Sequence, residues 1–416
     1  MSRRLALIAV AVVAVLAIVA YAAYWFLTGS VLRQLTDGRL VEADYWSAEP
    51  KILSAGFGFD NIIGIGELSQ EAVHDAGGAW QAAISCADGS EPPLSARTSA
   101  ATPDTIALAY EGYAEYDDGL PVVFSWPLAT ETVDPADFRL SLNTGESVFP
   151  HAAGMFPNWE LNERNVVVLF GDFGNRGKPG EPDAIFPVRL DIVDDGTPLT
   201  LVGPGGKEAR AVGLSWTTET TPYVSGPYLV GAKLNRIGKA ASGEGGVMLL
   251  DNAPYSPNDE FALYRGGDFR LRVLTTGGFS PDGVSALTPD AYERHFRVHA
   301  KASGGSDTIL DRAGVDYAVS GGTLRVVGLS DLGRRADAYD DCYIEDRDNY
   351  IDVILVGDEA AARSITAIEI PASGSHAPFY NPGGPGKEPF PIQPAKKLLD
   401  VFGKGRIDRG PHSVFQ

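Results

Sequence analysis

The sequence predicts a mainly β protein: two β-sandwich-like modules after a single N-terminal transmembrane helix. Three observations carry this. Short runs rich in Val, Ile, Phe and Tyr are punctuated by Gly, Pro, Asn and Asp, with 48 glycines and 28 prolines in 416 residues. Several runs alternate apolar and polar residues, as an antiparallel strand does when one face is buried and the other solvated. Ahead of them, residues 5–27 are apolar without a charged side chain.

That first stretch follows Arg3-Arg4 and ends at Gly29-Ser30. At about 1.5 Å per residue a helix of this length crosses a hydrocarbon core of about 30 Å. Basic residues before it favour a cytoplasmic N-terminus and export of the rest. Tyr24-Trp25-Phe26 suits an interfacial aromatic belt. A retained signal anchor is the preferred reading. The alternative is a cleaved signal peptide, for which Ala20-Tyr21-Ala22 has the small-x-small pattern, although the run exceeds the usual apolar region of about 7–15 residues. Both readings place the bulk of the chain outside the cytoplasm, periplasmic or at the cell surface, and secreted if the segment is cleaved.

Beyond the anchor (1–30), the punctuation divides the chain into a stalk and lead-in (31–103), a first module (104–202), a Gly-rich connection (203–254), a second module (255–372) and a Pro/Gly-rich tail (373–416). Candidate strands are Thr105–Tyr110, Pro121–Ser125, Phe138–Leu142, Val166–Phe170, Phe186–Val193, Ala211–Trp216, Phe269–Leu274, Phe296–Ala300, Thr323–Val327, Tyr350–Val356 and Ala367–Ile370. In Phe138–Leu142 and Phe269–Val273 the polar alternates are placed on a solvated face. Short helices are predicted behind Pro289 and over Ala395–Phe402. Asp137-Phe138-Arg139-Leu140 recurs as Asp268-Phe269-Arg270-Leu271, each before a Thr-Gly turn, which hints at duplication.

Thr132-Val133-Asp134-Pro135-Ala136-Asp137-Phe138, with the alternating strand and the Asn143-Thr144-Gly145-Glu146 turn behind it, resembles the start of a strand in bacterial immunoglobulin-like surface modules. The resemblance is local, within about 90 residues, the scale of one sandwich module. It implies a spacer or adhesive unit and no catalytic residue.

The chain carries 34 basic and 54 acidic residues, net −20, which argues against nucleic acid and anionic lipid as partners. Cys86 and Cys342 are the only cysteines. In an oxidising compartment they are expected to pair, two buried thiols being the alternative.

Phosphate-loop, nucleophile-elbow and zinc-helix motifs are missing, and no Gly-x-Gly is completed to a dinucleotide fingerprint, so no nucleotide cofactor is expected. Residues 340–352 hold six carboxylates. Such crowding calls for solvation, pairing or a cation. Two readings stay open: a structural Ca²⁺ site drawn from Asp340, Asp341, Glu345, Asp346 and Asp348, or a solvated acidic loop. Glu160 and Glu163 beside Trp159, with Asp172 beyond the next strand, are the weak catalytic candidates, since glycosidases pair carboxylates near a stacking aromatic. Glutamates on one turn rarely face a sugar from opposite sides, and Arg164 is expected to pair with one of them at the surface. His295-x-x-x-His299 offers zinc ligands on a helix, but alternation with Phe296 and Val298 favours a strand carrying solvated histidines.

The expected function is therefore non-catalytic binding or scaffolding at the cell envelope. The membrane is met through the N-terminal helix, and carbohydrate or an envelope protein is the partner. The alternative is an extracytoplasmic hydrolase acting on carbohydrate.

Overall fold

Among the described residues, sixteen strands build two sandwiches with one pairing order. The structure, a computed structural model, describes residues 12–21, 45–56, 58–158, 164–175, 181–219, 229–237, 267–278, 280–281, 283–333, 336, 339–345, 347–371, 397–400 and 408–409. The first eight strands are β1 (Ile52–Ala55), β2 (Asp118–Phe124), β3 (Phe138–Leu142), β4 (Ser147–Val148), β5 (Ala152–Gly154), β6 (Val166–Gly171), β7 (Pro187–Ile192) and β8 (Ser215–Thr217). They form one sheet in the order β1-β2-β6-β5 and a second in the order β8-β7-β3-β4. The next eight are β9 (Leu229–Arg236), β10 (Phe269–Thr275), β11 (Arg297–Lys301), β12 (Asp307–Leu310), β13 (Gly322–Ser330), β14 (Tyr350–Gly357), β15 (Ile365–Ile370) and β16 (Lys397–Asp400). Their sheets run β9-β10-β14-β13 and β16-β15-β11-β12. All these pairs are antiparallel, so the second set repeats the first strand for strand. Short additions extend the edges: Glu111–Gly112 beside β5, Tyr317–Val319 beside β13 and Asp408–Arg409 beside β9.

The duplication is real in the pairing order, but the repeated tetrapeptide does not mark it. Asp137–Leu140 leads the third strand of its module, whereas Asp268–Leu271 leads the second strand of the other.

Each sandwich closes on an apolar core shared by its two sheets. In the first, Leu120, Val122, Val167 and Leu169 meet Phe138, Leu140, Leu190 and Ile192. In the second, Phe269, Leu271, Val273 and Val353 meet Val298, Ala300, Ile365 and Ile368. Apart from Ile365 and Ile368, which a register shift sets three apart, these are the alternate positions that the strand pattern assigns to the core.

The opposite face of β10 departs from the expectation of solvent. Arg270 and Arg272 are buried. Asp352, directly across from Arg272 on β14, is the reason. Its Oδ1 accepts from Arg272 Nε at 3.0 Å and its Oδ2 from Arg270 Nη1 at 2.8 Å. Arg272 Nη2 reaches Asp331 Oδ2 at 2.5 Å and its guanidinium lies 5.0 Å from the Tyr350 ring centre. The charges are thus taken from water together, in hydrogen-bonded geometry, which is the condition for burying them.

Residues 45–56 and 58–110, which contain most of the expected stalk, are folded onto the first module. Their apolar runs are too short and Gly-interrupted to show a period, which hid them. Phe59 and Gly119 exchange backbone hydrogen bonds at 3.0 Å, and Ile63 and Asp117 do the same at 3.1 and 2.7 Å. Ile62, Ile63, Ile65, Val73 and Ile106 then cover Val168 and Phe170 on the outer face of β6. Of Thr105–Tyr110, expected as a strand, residues 105–109 lie in the helix Pro103–Ala109 and Tyr110 is its extended C-cap: Thr102 caps the start and Pro103 opens it. Ala395–Phe402, expected as a helix, contains β16. The helix behind Pro289 is the single turn Tyr292–His295. β8, Lys207–Arg210 and β9 fall inside the expected connection 203–254, and Lys207–Arg210 pairs as a hairpin with Thr200–Gly203, which begins before it.

The two sandwiches meet at a seam that includes Trp46, Val123, Val166, Leu274 and Tyr350. Trp46 lies against Gly231 of β9, where a Cβ would stand 2.3 Å from the indole. Lys233 Nζ sits 4.2 Å from the indole centre, and Tyr350 donates to Asn165 Oδ1 at 2.9 Å. Of the apolar N-terminal run, residues 12–21 are helical and exposed, Val12 to Tyr21 showing 52–68% at their larger side chains. Among the described residues no helix is long and apolar enough to cross a membrane, and the rest of the run lies outside them.

Two outcomes are expected. Asp352→Asn leaves two buried guanidinium groups without their shared carboxylate and costs about 3–5 kcal/mol, read as a lower midpoint in urea unfolding. The second concerns Asp137, buried in the turn that precedes β3. Burial raises its carboxyl from 3.8 to about 7, against hydrogen bonds from the Asp134 and Leu199 amides. The native state holds this proton more tightly than the unfolded chain. The benefit is complete below about pH 4 and is lost as pH rises through about 7. Asp137→Asn should flatten this fall in a series of melts from pH 4 to 8.

Candidate functional site

A cavity of about 430 Å³ opens beside the seam, between the outer face of the first sheet and two loops of the second module. This is within the size range of small-molecule sites, about 300–1,000 Å³. Val168 and Phe170 of β6 contribute to its floor, with Tyr110, Ile106 and Phe156 around them. Tyr110 packs edge-on to Phe170 at 4.5 Å between ring centres and donates its hydroxyl to Phe156 O at 2.6 Å. Burial holds that phenol well above its usual range, so it stays protonated.

The rim is polar. Ser95, Thr98 and Ser99 come from the segment around the turn Leu94–Arg97, and Arg347 and Asn349 come from the loop before β14. Arg347 has a left-handed backbone, φ 61°. Its Nη1 donates to Ser99 Oγ at 2.7 Å, and its Nη2 to Ser95 O at 2.6 Å and Val284 O at 3.0 Å. Gly278 closes on the Arg347 carbonyl, where a Cβ would lie 2.8 Å from the oxygen. Asn349 is clamped to the end of β10, its Nδ2 donating to Thr275 O at 2.9 Å.

Cys86 and Cys342 are joined, with a separation of 256 residues. The bridge ties the segment that supplies Ser95 and Ser99 to the loop that supplies Arg347. Asp340 reinforces it, accepting from Ala87 N at 2.5 Å and Cys342 N at 2.9 Å.

The acidic loop turns its carboxylates to separate tasks. Asp340 caps the bridge, and Asp341 is exposed. Glu345 is buried and accepts from Leu287 N at 2.5 Å; burial raises it to about 8, with Arg347 opposing. Asp348 is buried and accepts from Tyr350 N at 2.7 Å. Asp346 lies outside the described residues. Among the described residues no three His, Cys, Asp or Glu side chains are placed to hold a metal ion.

Glu160 and Glu163 lie outside the described residues. Arg164, expected at the surface, is buried. Asp172 is exposed near Asp117, whose carboxylate meets His151 Nδ1 at 3.0 Å. Burial raises the Asp117 carboxyl, His151 opposes that rise, and Asp172 and Glu115 add to it. His295 and His299 do not share a solvated strand face: His295 is buried at the end of the turn Tyr292–His295, and His299 on β11 meets Glu369 Oε2 at 2.7 Å.

The cavity residues from 58 to 101 fall in the expected stalk, and Thr105, Ile106 and Tyr110 fall in an expected strand, so the sequence does not bring them together. Thr102-Pro103-Asp104 was the available signal, a cap and first-turn proline ahead of Ile106 and Tyr110 at helical spacing. No protein-family model matches the chain, and neither does any curated protein or solved structure.

Removing the bridge by Cys86→Ala with Cys342→Ala should lower stability by about 2–5 kcal/mol. Hydrogen exchange should show the added opening concentrated at residues 81–99 and 340–349. Uniform exchange throughout the chain would contradict a local staple.

Proposed function

We propose that this protein is a membrane-anchored, extracytoplasmic binding protein, non-catalytic, whose two immunoglobulin-like modules enclose a small-molecule site. The observation that carries the reading is the cavity: apolar inside, polar at its rim, lined from both modules and stapled across by Cys86–Cys342. Such a combination is what a binding pocket requires.

The strand order supports the immunoglobulin-like reading. Lettered A to G, β1-β2-β6-β5 follows A-B-E-D, and β8-β7-β3-β4 follows G-F-C-C′. The second module repeats both orders. Export is supported by the disulfide, which persists in oxidising compartments. Anchoring is supported by the apolar side chains of residues 12–21, which are exposed.

The second reading, a hydrolase acting on carbohydrate, draws on Asp172 standing near Asp117 and His151. One experiment separates the two. The full chain in lipid nanodiscs, with empty nanodiscs subtracted, is titrated with neutral naphthylpropanol and then incubated with envelope polysaccharides. Saturable binding of the probe, abolished when Val168→Trp fills the cavity, is the expected result. No saturable binding would end the cavity reading. Release of reducing sugar, lost in Asp172→Asn, would replace it with the hydrolase.

A further inference from the structure

We propose that the cavity takes a small amphipathic anion: an apolar body the size of one or two rings, with a carboxylate head that meets Arg347 at the rim. The proposal rests on the binding reading above and adds the ligand's chemistry.

The interior supplies the first half. Val168, Phe170, Tyr110 and Phe156 offer aliphatic and aromatic surface. The one polar group among them, the Tyr110 hydroxyl, is already donated to Phe156 O. A polar body inside would leave its own groups unpaired, at a cost of about 1–3 kcal/mol each.

The rim supplies the second half. Arg347 is the charged side chain of the described lining. Its three hydrogen bonds run to a hydroxyl and two backbone carbonyls, all of them neutral. They fix the guanidinium in place without cancelling its charge. A guanidinium has five N–H donors, so two are left over for a ligand. The neighbouring carboxyl, Glu345, is directed to the Leu287 amide inside the protein. A fixed cation beside an apolar wall acts through a lower dielectric than water and attracts an anion accordingly. The backbone adds to the geometry. A non-glycine residue at φ 61° is uncommon, and Gly278 packs on its carbonyl, so the side chain starts from a set position.

The plain structural alternative makes Arg347 a latch between the modules and nothing more. The two are separated by a matched pair of probes, naphthylpropionate and naphthylpropanol, which differ at the head only. Calorimetric titration of the full chain in nanodiscs should show the acid binding at least about tenfold more tightly than the alcohol, the scale of one charge-assisted hydrogen-bonded contact. Arg347→Gln should abolish the acid's preference, so that the two probes bind the variant with equal affinity. Arg347→Lys, which keeps the charge without the planar fork, should retain part of the preference. Equal affinity of both probes for the unaltered protein overturns the proposal while the cavity reading stands, and this comparison needs no variant to fold. An acid preference that survives Arg347→Gln overturns it too. Binding of neither probe overturns both.

Discussion

Asp352 is the point around which the second module and the seam are arranged. It stands on the central strand β14 and receives Arg270 and Arg272 from β10, while Arg272 continues to Asp331. A sheet with one apolar face needs a reason to bury the other. Here the reason is a set of opposed charges that satisfy each other and so permit a second layer of protein above them. Arg272 also stacks on Tyr350, and Tyr350 reaches Asn165 of the first module. The ion network and the seam are therefore one continuous construction, and the Tyr350 hydroxyl crosses from one module to the other. Removing a member exposes its neighbours to the full cost of an unpaired buried group.

The cavity follows from that construction. Its floor belongs to the first sheet, and its rim is shared with the loop that runs straight into Tyr350. The seam fixes where β14 begins, so it also fixes where Arg347 stands. The bridge and Asp340 hold the far side of the same loop. A site built on such a frame is positioned from several directions at once, which limits how far its polar rim can drift from its apolar interior.

The strands were the legible part of the fold. Phe138–Leu142 coincides with β3, and the expected strands beginning at 166, 186, 269, 350 and 367 fall on β6, β7, β10, β14 and β15. Alternation identifies a strand, but it does not tell what covers the polar face. Arg270 and Arg272 read as solvated because their partner, Asp352, lies 80 or more positions away. Short apolar runs were the other weak point, since they fit a strand or a helix equally well. Residues 105–109 are helical because Thr102 and Pro103 start a helix, and residues 397–400 are a strand because β15 offers an edge. The cysteine pair is foreseeable from there being two cysteines and from the expected export, whereas the wall it staples is not, because residues 58–101 show no strand or helix period.

A chain is made from one end, and the bridge between Cys86 and Cys342 gives this fact a consequence. Every strand of the first module has been synthesised before Cys342 exists, so that module can assemble its own core early. The pocket cannot. Its rim needs Arg347 and its covalent closure needs residue 342, both of which arrive with the last quarter of the sequence. Completion of the cavity is thus among the final events in the chain's maturation, because a chain that lacks this region lacks both Arg347 and the bridge.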